Sequence, residues 1–314
     1  MLTRRHIRIK VLQSIYAFNQ SEHQDLDKQE KFLLYSMNQM QDLYVLLLQL
    51  LVALRNHADS HSKISSQKHL ATAQEKNPSR NFLDNQMLAG IANNSQLQEL
   101  VKNKKLNYWE SDNEYVALIF NALREQDWYA EYLSEKETSF KIDSDFVLRL
   151  YKEVIAPNDK LYEYLEDKRL TWLDDFPIVN TAMMKTLSKL SEKNISLAIV
   201  PDLYKNDEDK DYALNLLRKV LLTNTVLEDE IDGKTPNWDK ERIADIDMII
   251  LKMGIAEFLH FPSIPIRATI NEYLEIAKEY STPKSSIFIN GILDKLVKDY
   301  AASDKLNKIG RGLR

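Results

Sequence analysis

The chain has 314 residues and a formal net charge of −5 at pH 7, and 44% of its residues are hydrophobic. It contains no cysteine, which excludes disulfides and thiolate metal sites and is typical of a reducing compartment such as the cytoplasm. Six glycines and eight prolines are too few for a sheet-rich fold with many turns, so the composition predicts an all-α protein with short connections.

The first predicted helix begins after Thr3, whose side chain can cap it. Apolar residues then recur at helical spacing at Ile7, Val11, Ile15 and Phe18. This spacing predicts that one stripe of the helix is held against a core.

The same helix is basic although the whole chain is acidic. It carries Arg4, Arg5, Arg8 and Lys10, and no acidic residue occurs before position 22. Tyr16 continues the stripe of Arg5 and Arg8, next to the apolar stripe. Cations for phosphates and a ring for an unstacked base are what RNA binding requires. The alternative is a solvated basic face, and the pattern alone leaves both interpretations open.

A second, longer helix is predicted over about Leu26–Leu54. Its most apolar run, Tyr44–Leu54, is too short to span a bilayer and is interpreted as a buried helix end. The following stretch, residues 56–81, is rich in Ser, Asn and Lys and predicts a mobile loop. Helical patterns resume over Asn113–Glu135.

The second half of the chain contains an internal repeat. Phe146–Trp172 can be placed over Tyr212–Trp238 with one constant shift and no gap. This indicates two related helical units; the alternative is a chance match between amphipathic helices. The matching pairs are Leu148 with Leu214, Leu150 with Leu216, Val154 with Val220, Asn158 with Asn224, Leu161 with Leu227 and Trp172 with Trp238.

The end of the chain has the most distinctive pattern. A helix is predicted from Pro265 through Tyr280, followed by a turn and a last helix that contains "FINGILDKL". Gly291 lies inside that last helix, where glycine lowers helix stability, so it predicts a close approach of another backbone.

Three blocks together resemble one known family. They are "RRHIRIKVLQSIYAF" at the N-terminus, "WDKERIADIDMIILKMGIAEFL" and "IPIRATINEYLEIAKEYSTPKSSIFINGILDKL". The chain resembles the bacterial transcription antitermination factors of the NusB family over about Leu2–Gln20 and Asp207–Tyr300. The resemblance implies an all-helical fold of two three-helix bundles with an additional inserted helical region.

The predicted domain organisation follows from the resemblance and the repeat. It consists of an N-terminal basic helix over 1–20, a helical insertion over 21–140 with its loop at about 56–81, an inserted unit over 141–200 that repeats the bundle, a NusB-like core over 206–300 and a flexible basic tail over 301–314.

The resemblance also implies a function. Proteins of this family pair with the small-subunit ribosomal protein NusE, and the pair binds the boxA element of nascent RNA. They act with the transcription elongation complex, notably on ribosomal RNA operons. The resemblance therefore implies no catalysis, and no cofactor is expected. The absence of cysteine and the short apolar run predict a soluble cytoplasmic protein that does not engage a membrane.

Site residues are carried over by position, and alternatives remain open for several. Phe288 can equally be a core residue, Gln13 plain surface, and Lys284 stands where some relatives carry an acid. The three acidic residues expected at the partner-binding site suit a basic protein partner, although they can also be ordinary solvated groups. The expected RNA-binding residues are Arg4, Arg5, Arg8, Lys10, Gln13, Tyr16, Lys284, Ser285 and Phe288, and the expected partner-binding residues are Glu241, Asp245 and Asp247.

Three short motifs are set aside. The stretch Asp232–Thr235 lacks the earlier glycine of a phosphate-binding loop. His57 and His61 have the spacing of helical metal ligands but no third ligand nearby. Asn206–Asp211 lacks the glycine and final glutamate of a calcium loop. No residue pattern indicates an enzyme.

Two other functions are considered. An RNA-modifying enzyme with a NusB-like domain would need a catalytic cysteine, which this chain lacks. A helical adaptor without RNA binding remains the alternative, and a homodimer is left open.

Overall fold

The computed structural model describes residues 1–67, 72, 76–232, 234 and 243–313, without the side chains of 311 and 313. Within these ranges all regular structure is helical, which confirms the all-α prediction. In chain order the α-helices are α1 (Arg4–Gln20), α2 (Leu26–Ser66), α3 (Gln86–Ala92), α4 (Ser95–Lys104), α5 (Tyr108–Ser111), α6 (Asn113–Arg124), α7 (Asp127–Ser134), α8 (Phe140–Leu150), α9 (Asp159–Lys168), α10 (Phe176–Leu187), α11 (Asp207–Leu222), α12 (Asn224–Asp232), α13 (Asp245–His260), α14 (Ile266–Tyr280) and α15 (Ser285–Ala302).

The chain divides into two compact units. Unit 1 comprises Met1 and Asn38–Leu203, and unit 2 comprises Leu2–Met37 and Tyr204–Arg314. Unit 2 therefore contains α1, the start of α2 and α11 to α15, whereas unit 1 contains the rest of α2 and α3 to α10.

The central helix of unit 2 is α13. Its residues from Ile249 to Phe258 are buried without interruption, which is typical of a helix surrounded by other helices. It packs against α1, α11 and α12 and also against α14 and α15. These two groups agree with the predicted pair of helical bundles.

Helix α1 begins as the sequence predicts. The Thr3 hydroxyl accepts a hydrogen bond from the His6 amide, and the Thr3 amide donates to His6 Nδ1, so each residue satisfies the other. Ile7, Val11 and Ile15 are fully buried, as their spacing predicts.

Helix α2 is longer than predicted. It continues to Ser66, so the prediction of a loop beginning at residue 56 is wrong for residues 56–66. Tertiary contacts hold this polar extension: the rings of His57 and His61 contact Phe120 edge-on at 5.3 and 5.5 Å between centroids. Ala58 is also buried in this turn of the helix.

By length and composition α2 is apolar enough to cross a membrane. However, 72% of its most apolar window is buried inside the protein. Tyr44–Leu54 lies in the middle of this helix rather than at its end, and most of its side chains are inaccessible. The apolar composition is therefore accounted for by burial in the core of unit 1.

The internal repeat is visible in the burial of the two copies. α8 and α9 match α11 and α12, and the buried pairs include Phe146 with Tyr212, Leu150 with Leu216, Leu161 with Leu227 and Leu165 with Ile231. Trp172 is buried and donates to the Gln39 carbonyl at 2.8 Å. Trp238 lies outside the described residues.

The repeat extends further towards the N-terminus than the sequence comparison indicated. Asp143 and Asp209 occupy matching positions in the first turns of α8 and α11, and both are buried. Asp143 accepts from the amide of Gln86, the first residue of α3, and Asp209 pairs with Arg4, the first residue of α1. α3 in unit 1 thus corresponds to the basic helix in unit 2, but it carries no cation.

Two predictions about the C-terminal region are wrong. A Cβ added at Gly291 would meet nothing within 4 Å, so this glycine does not permit close packing. At Gly254, by contrast, an added Cβ would lie 3.0 Å from the Leu293 side chain. The tail after α15 is also held in place rather than free. Lys308 donates to the carbonyls of Glu257 and Phe261 at 3.1 and 3.0 Å.

Candidate nucleic-acid interface

The first turn of α1 lines a cavity of about 860 Å³ in unit 2. Arg4 and Arg5 line it with about 40% of each side chain exposed. Arg4 pairs with Asp209 at 2.6 Å and lies over the Tyr212 ring at 4.4 Å. Arg5 donates twice to Glu272, at 2.8 and 3.0 Å. The cavity thus presents two accessible guanidinium groups, each already in contact with one acid.

Arg8 lies in the interior, which corrects the expectation that it faces RNA together with Arg5. Only 3% of its side chain is exposed, and it donates to both carboxylate oxygens of Glu257 at 2.7 and 3.0 Å. A helix stripe shared by two residues does not fix their burial. Arg8 meets Glu257 of α13, whereas Arg5 remains partly exposed at the cavity. Arg8 is therefore a structural residue in this conformation.

Glu257 is the centre of a buried polar cluster. Besides the two bonds from Arg8, it accepts from Thr269 and Tyr273 at 2.9 Å each and from the Tyr212 hydroxyl. These donors come from α1, α11 and α14, whereas Glu257 belongs to α13. The cluster ties four helices of unit 2 together, because a buried charge is tolerated only when it is fully paired.

The ionisation of this cluster follows from its pairing. Burial alone would raise the pKa of Glu257, but the charge of Arg8 and the hydrogen bonds that the carboxylate accepts hold its pKa below the ordinary value. Burial and the neighbouring Glu257 carboxylate raise the pKa values of Tyr212 and Tyr273 well above normal, so both phenols stay protonated.

His6 adds no positive charge to the cavity. Burial, followed by the charge of Arg5, lowers the pKa of His6 to about 4, so the ring is neutral at pH 7. Its Nδ1 accepts from Thr3 within the helix cap. The cationic character of this end of α1 therefore depends on Arg4 and Arg5.

The remaining predicted residues of α1 differ in accessibility. Lys10 is 3% exposed, which corrects the expectation that it reaches RNA phosphate directly. Gln13 is half-buried, and the Tyr16 ring is 42% exposed. Tyr16 is thus the accessible aromatic residue that stacking on a base requires.

A second group of predicted RNA-binding residues lies at the turn before α15 and in the first turn of that helix. Lys284 is exposed and lies immediately before the helix, and Phe288 is half-buried. Ser285 is 4% exposed, and its hydroxyl donates to Asp247 at 2.7 Å, so it is not available on the surface. Of these three, Lys284 has the free access that phosphate binding needs.

The predicted partner-binding acids also separate. Asp247 is 6% exposed and accepts from Ser281 and Ser285, which corrects the expectation that it faces a partner. It connects the start of α13 to the start of α15. Asp245 is exposed and lies 3.5 Å from Gln20 Nε2. Glu241 lies outside the described residues.

The acids that pair with the basic helix were not predicted from the sequence. Asp209 and Glu272 are ordinary polar residues of amphipathic helices, and nothing in the sequence connects them to α1. Glu257 had a detectable signal, because an acid inside the apolar run of α13 must be paired if it is buried.

The motifs that were set aside show no contrary feature. His57 and His61 contact Phe120, and no cluster of three metal-ligating side chains occurs within the described ranges. Asp232 ends α12, and most of the stretch after it lies outside those ranges.

Comparison with known proteins decides the family. The chain is 41% identical over 110 residues to the transcription antitermination protein NusB of Salinibacter ruber, which spans 34% of this chain and 69% of that protein. The chain belongs to the NusB family. The sequence model of the NusB family matches residues 178–298, which include α11 to α14 and most of α15.

Other relatives show how much of a NusB protein is matched. The NusB proteins of Chloroherpeton thalassium and Clostridium kluyveri are 36% and 42% identical, over 57% and 58% of their lengths. The chain therefore spans only a little over half of these two proteins. A solved structure of T. maritima NusB is 24% identical over 51% of this chain and 94% of that chain, with a TM-score of 0.30.

Proposed function

We propose that this protein is a cytoplasmic, non-enzymatic antitermination factor that binds boxA-type nascent RNA together with ribosomal protein NusE and promotes transcription of ribosomal RNA operons. The NusB relatives are named as transcription antitermination proteins. The observation that supports RNA contact most directly is the pair of accessible guanidinium groups, Arg4 and Arg5, on one cavity of unit 2.

The accessible groups suit a single-stranded RNA. Arginine forks bind phosphate oxygens in a bidentate manner, and an exposed ring such as that of Tyr16 can stack on an unpaired base. Lys284 adds a further exposed cation in the same unit. The proposed RNA face is therefore Arg4, Arg5, Tyr16 and Lys284, with Gln13 and Phe288 as half-buried candidates for base contacts.

Fewer acidic residues remain candidates for the proposed contact with NusE than the sequence predicted. Asp245 is exposed at the start of α13 and remains the candidate for pairing with a basic partner. Asp247 supports the fold, and Glu241 stays a prediction from the sequence. Interaction with the elongation complex would follow from the bound RNA and NusE.

A titration of boxA RNA in filter binding tests this function. RNA should be retained by the protein with NusE present, more tightly than a scrambled RNA of the same length and with affinity that falls steeply with salt. Retention of neither RNA, with or without NusE, would contradict the proposal and leave the helical adaptor as the remaining function.

A further inference from the structure

Arg5 is held by an acid in the manner in which it would hold a phosphate. Its Nε and Nη2 donate in parallel to Glu272 Oε2 and Oε1, at 2.8 and 3.0 Å. This is the fork geometry in which a guanidinium also binds two oxygens of a phosphate. Both groups cannot occupy the same pair of donors, so a phosphate that uses this fork must displace Glu272.

Glu272 can separate from Arg5 more easily than Asp209 can separate from Arg4. Its side chain is 27% exposed at the cavity, and within the described part of the chain its other ion-pair partner is Arg8, whose Nη1 lies 3.9 Å away. Asp209 is 8% exposed and also accepts from the Lys205 amide, so it is fixed by the backbone next to α11. Of the two acids, Glu272 is the one that can move out into water.

We propose that Glu272 is an internal competitor for RNA phosphate at Arg5 and thereby sets the affinity of the RNA face. This inference rests on the proposed function. An RNA phosphate that takes the Nε–Nη2 fork of Arg5 must first break the Arg5–Glu272 pair, so this contact with the sugar–phosphate backbone adds little affinity by itself. Because Glu272 competes with phosphate and not with a base, it lowers the affinities for boxA and for scrambled RNA by the same factor.

The test compares Glu272→Gln with Glu275→Gln in the complete chain with NusE. Both variants remove one negative charge from α14, but Glu275 pairs with Lys278 and makes no hydrogen bond to Arg5. Glu272→Gln should bind boxA and scrambled RNA about fivefold more tightly than the wild type, with their ratio unchanged. Glu275→Gln should change either affinity by less than about twofold.

A second variant separates competition from loss of structure. Glu272→Asp keeps the charge but is one methylene shorter, which weakens the bidentate pairing with Arg5. Its affinity for RNA should therefore lie between that of the wild type and that of Glu272→Gln. Thermal unfolding of each variant checks that the protein remains folded. If Glu272→Gln does not fold, the gain of Glu272→Asp over the wild type decides the inference.

The outcomes distinguish this inference from the proposed function. If the wild type binds RNA and Glu272→Gln binds no more tightly than Glu275→Gln, the competition is wrong and the proposed function stands. If neither the wild type nor Glu272→Gln binds RNA, with or without NusE, both are wrong. A gain for boxA alone would also contradict the competition, because it would place a base at Arg5.

Discussion

Arg8 and Glu257 form a bidentate ion pair inside unit 2, with 2.7 Å from Nε to Oε1 and 3.0 Å from Nη2 to Oε2. The two side chains are 3% and 0% exposed. The pair joins α1 to α13, so the basic helix is fixed to the fold by one of its own cations. This relationship divides the arginines of α1 into one that supports the structure and two that are accessible to ligand.

The first prediction concerns stability. Arg8→Ala should lower the free energy of unfolding by about 3–5 kcal/mol, because it leaves the Glu257 carboxylate buried without its countercharge. Arg5→Ala should cost less than about 1 kcal/mol, since its ion pair is partly exposed. Denaturant unfolding followed by circular dichroism measures both. Equal effects of the two substitutions would show that Arg8 is not the buried partner.

The second prediction concerns pH and His6. The pKa of His6 is lowered in the folded state to about 4, below its ordinary value of 6.5, so folding favours the neutral ring. This stabilisation is fully present above pH 6.5 and is lost as the pH falls towards 4, because the unfolded chain takes up the proton first.

His6→Gln isolates this effect. Glutamine at the same position can still bond the Thr3 amide but does not titrate. The wild type should therefore lose more unfolding free energy than His6→Gln between pH 6.5 and 4, measured by urea unfolding at each pH. Parallel pH profiles for the two proteins would rule out the buried neutral histidine.

The third prediction separates the two acids at the start of α13. Asp247→Ala removes the acceptor of two serine hydroxyls and should destabilise the protein by about 1–3 kcal/mol. Asp245→Lys should leave stability within about 0.5 kcal/mol, since Asp245 is exposed, but should weaken binding of NusE in calorimetry. Unchanged NusE affinity of Asp245→Lys would remove this residue from the proposed partner surface.

Much of this fold was predictable because local chemistry determines it. Thr3 can cap α1, and the spacing of Ile7, Val11 and Ile15 predicts the buried face of that helix. The repeat gave the correspondence of α8 and α9 with α11 and α12, because both copies bury the same positions. These features depend on residues that are close together in the sequence.

The wrong predictions concern features that depend on residues far apart in the sequence. The polar stretch after Arg55 stays helical because His57 and His61 contact Phe120. Arg8 and Tyr16 share a stripe, yet only Arg8 meets the Glu257 carboxylate, which lies 249 positions further along the chain. Periodicity gives the face of a helix but not the charge that the face will meet. The sequence therefore predicted which helix forms the candidate site, but not which of its residues are accessible.

The central claim is that Arg4 and Arg5 contact RNA phosphate, and the salt dependence of RNA binding tests it most directly. The variant Arg4→Ala with Arg5→Ala is compared with the wild type, both with NusE present. The control is the double variant Arg80→Ala with Arg149→Ala. These two arginines lie outside α1, and both are exposed and ion-paired like Arg4 and Arg5.

We predict that boxA affinity of the Arg4/Arg5 variant falls at least about tenfold, and that the slope of log K against log salt becomes shallower by about 1.4, as expected for the loss of two contacts to a single strand. NusE affinity should not change, and the control should behave as the wild type does. An affinity and a slope for the Arg4/Arg5 variant equal to those of the control would contradict the account.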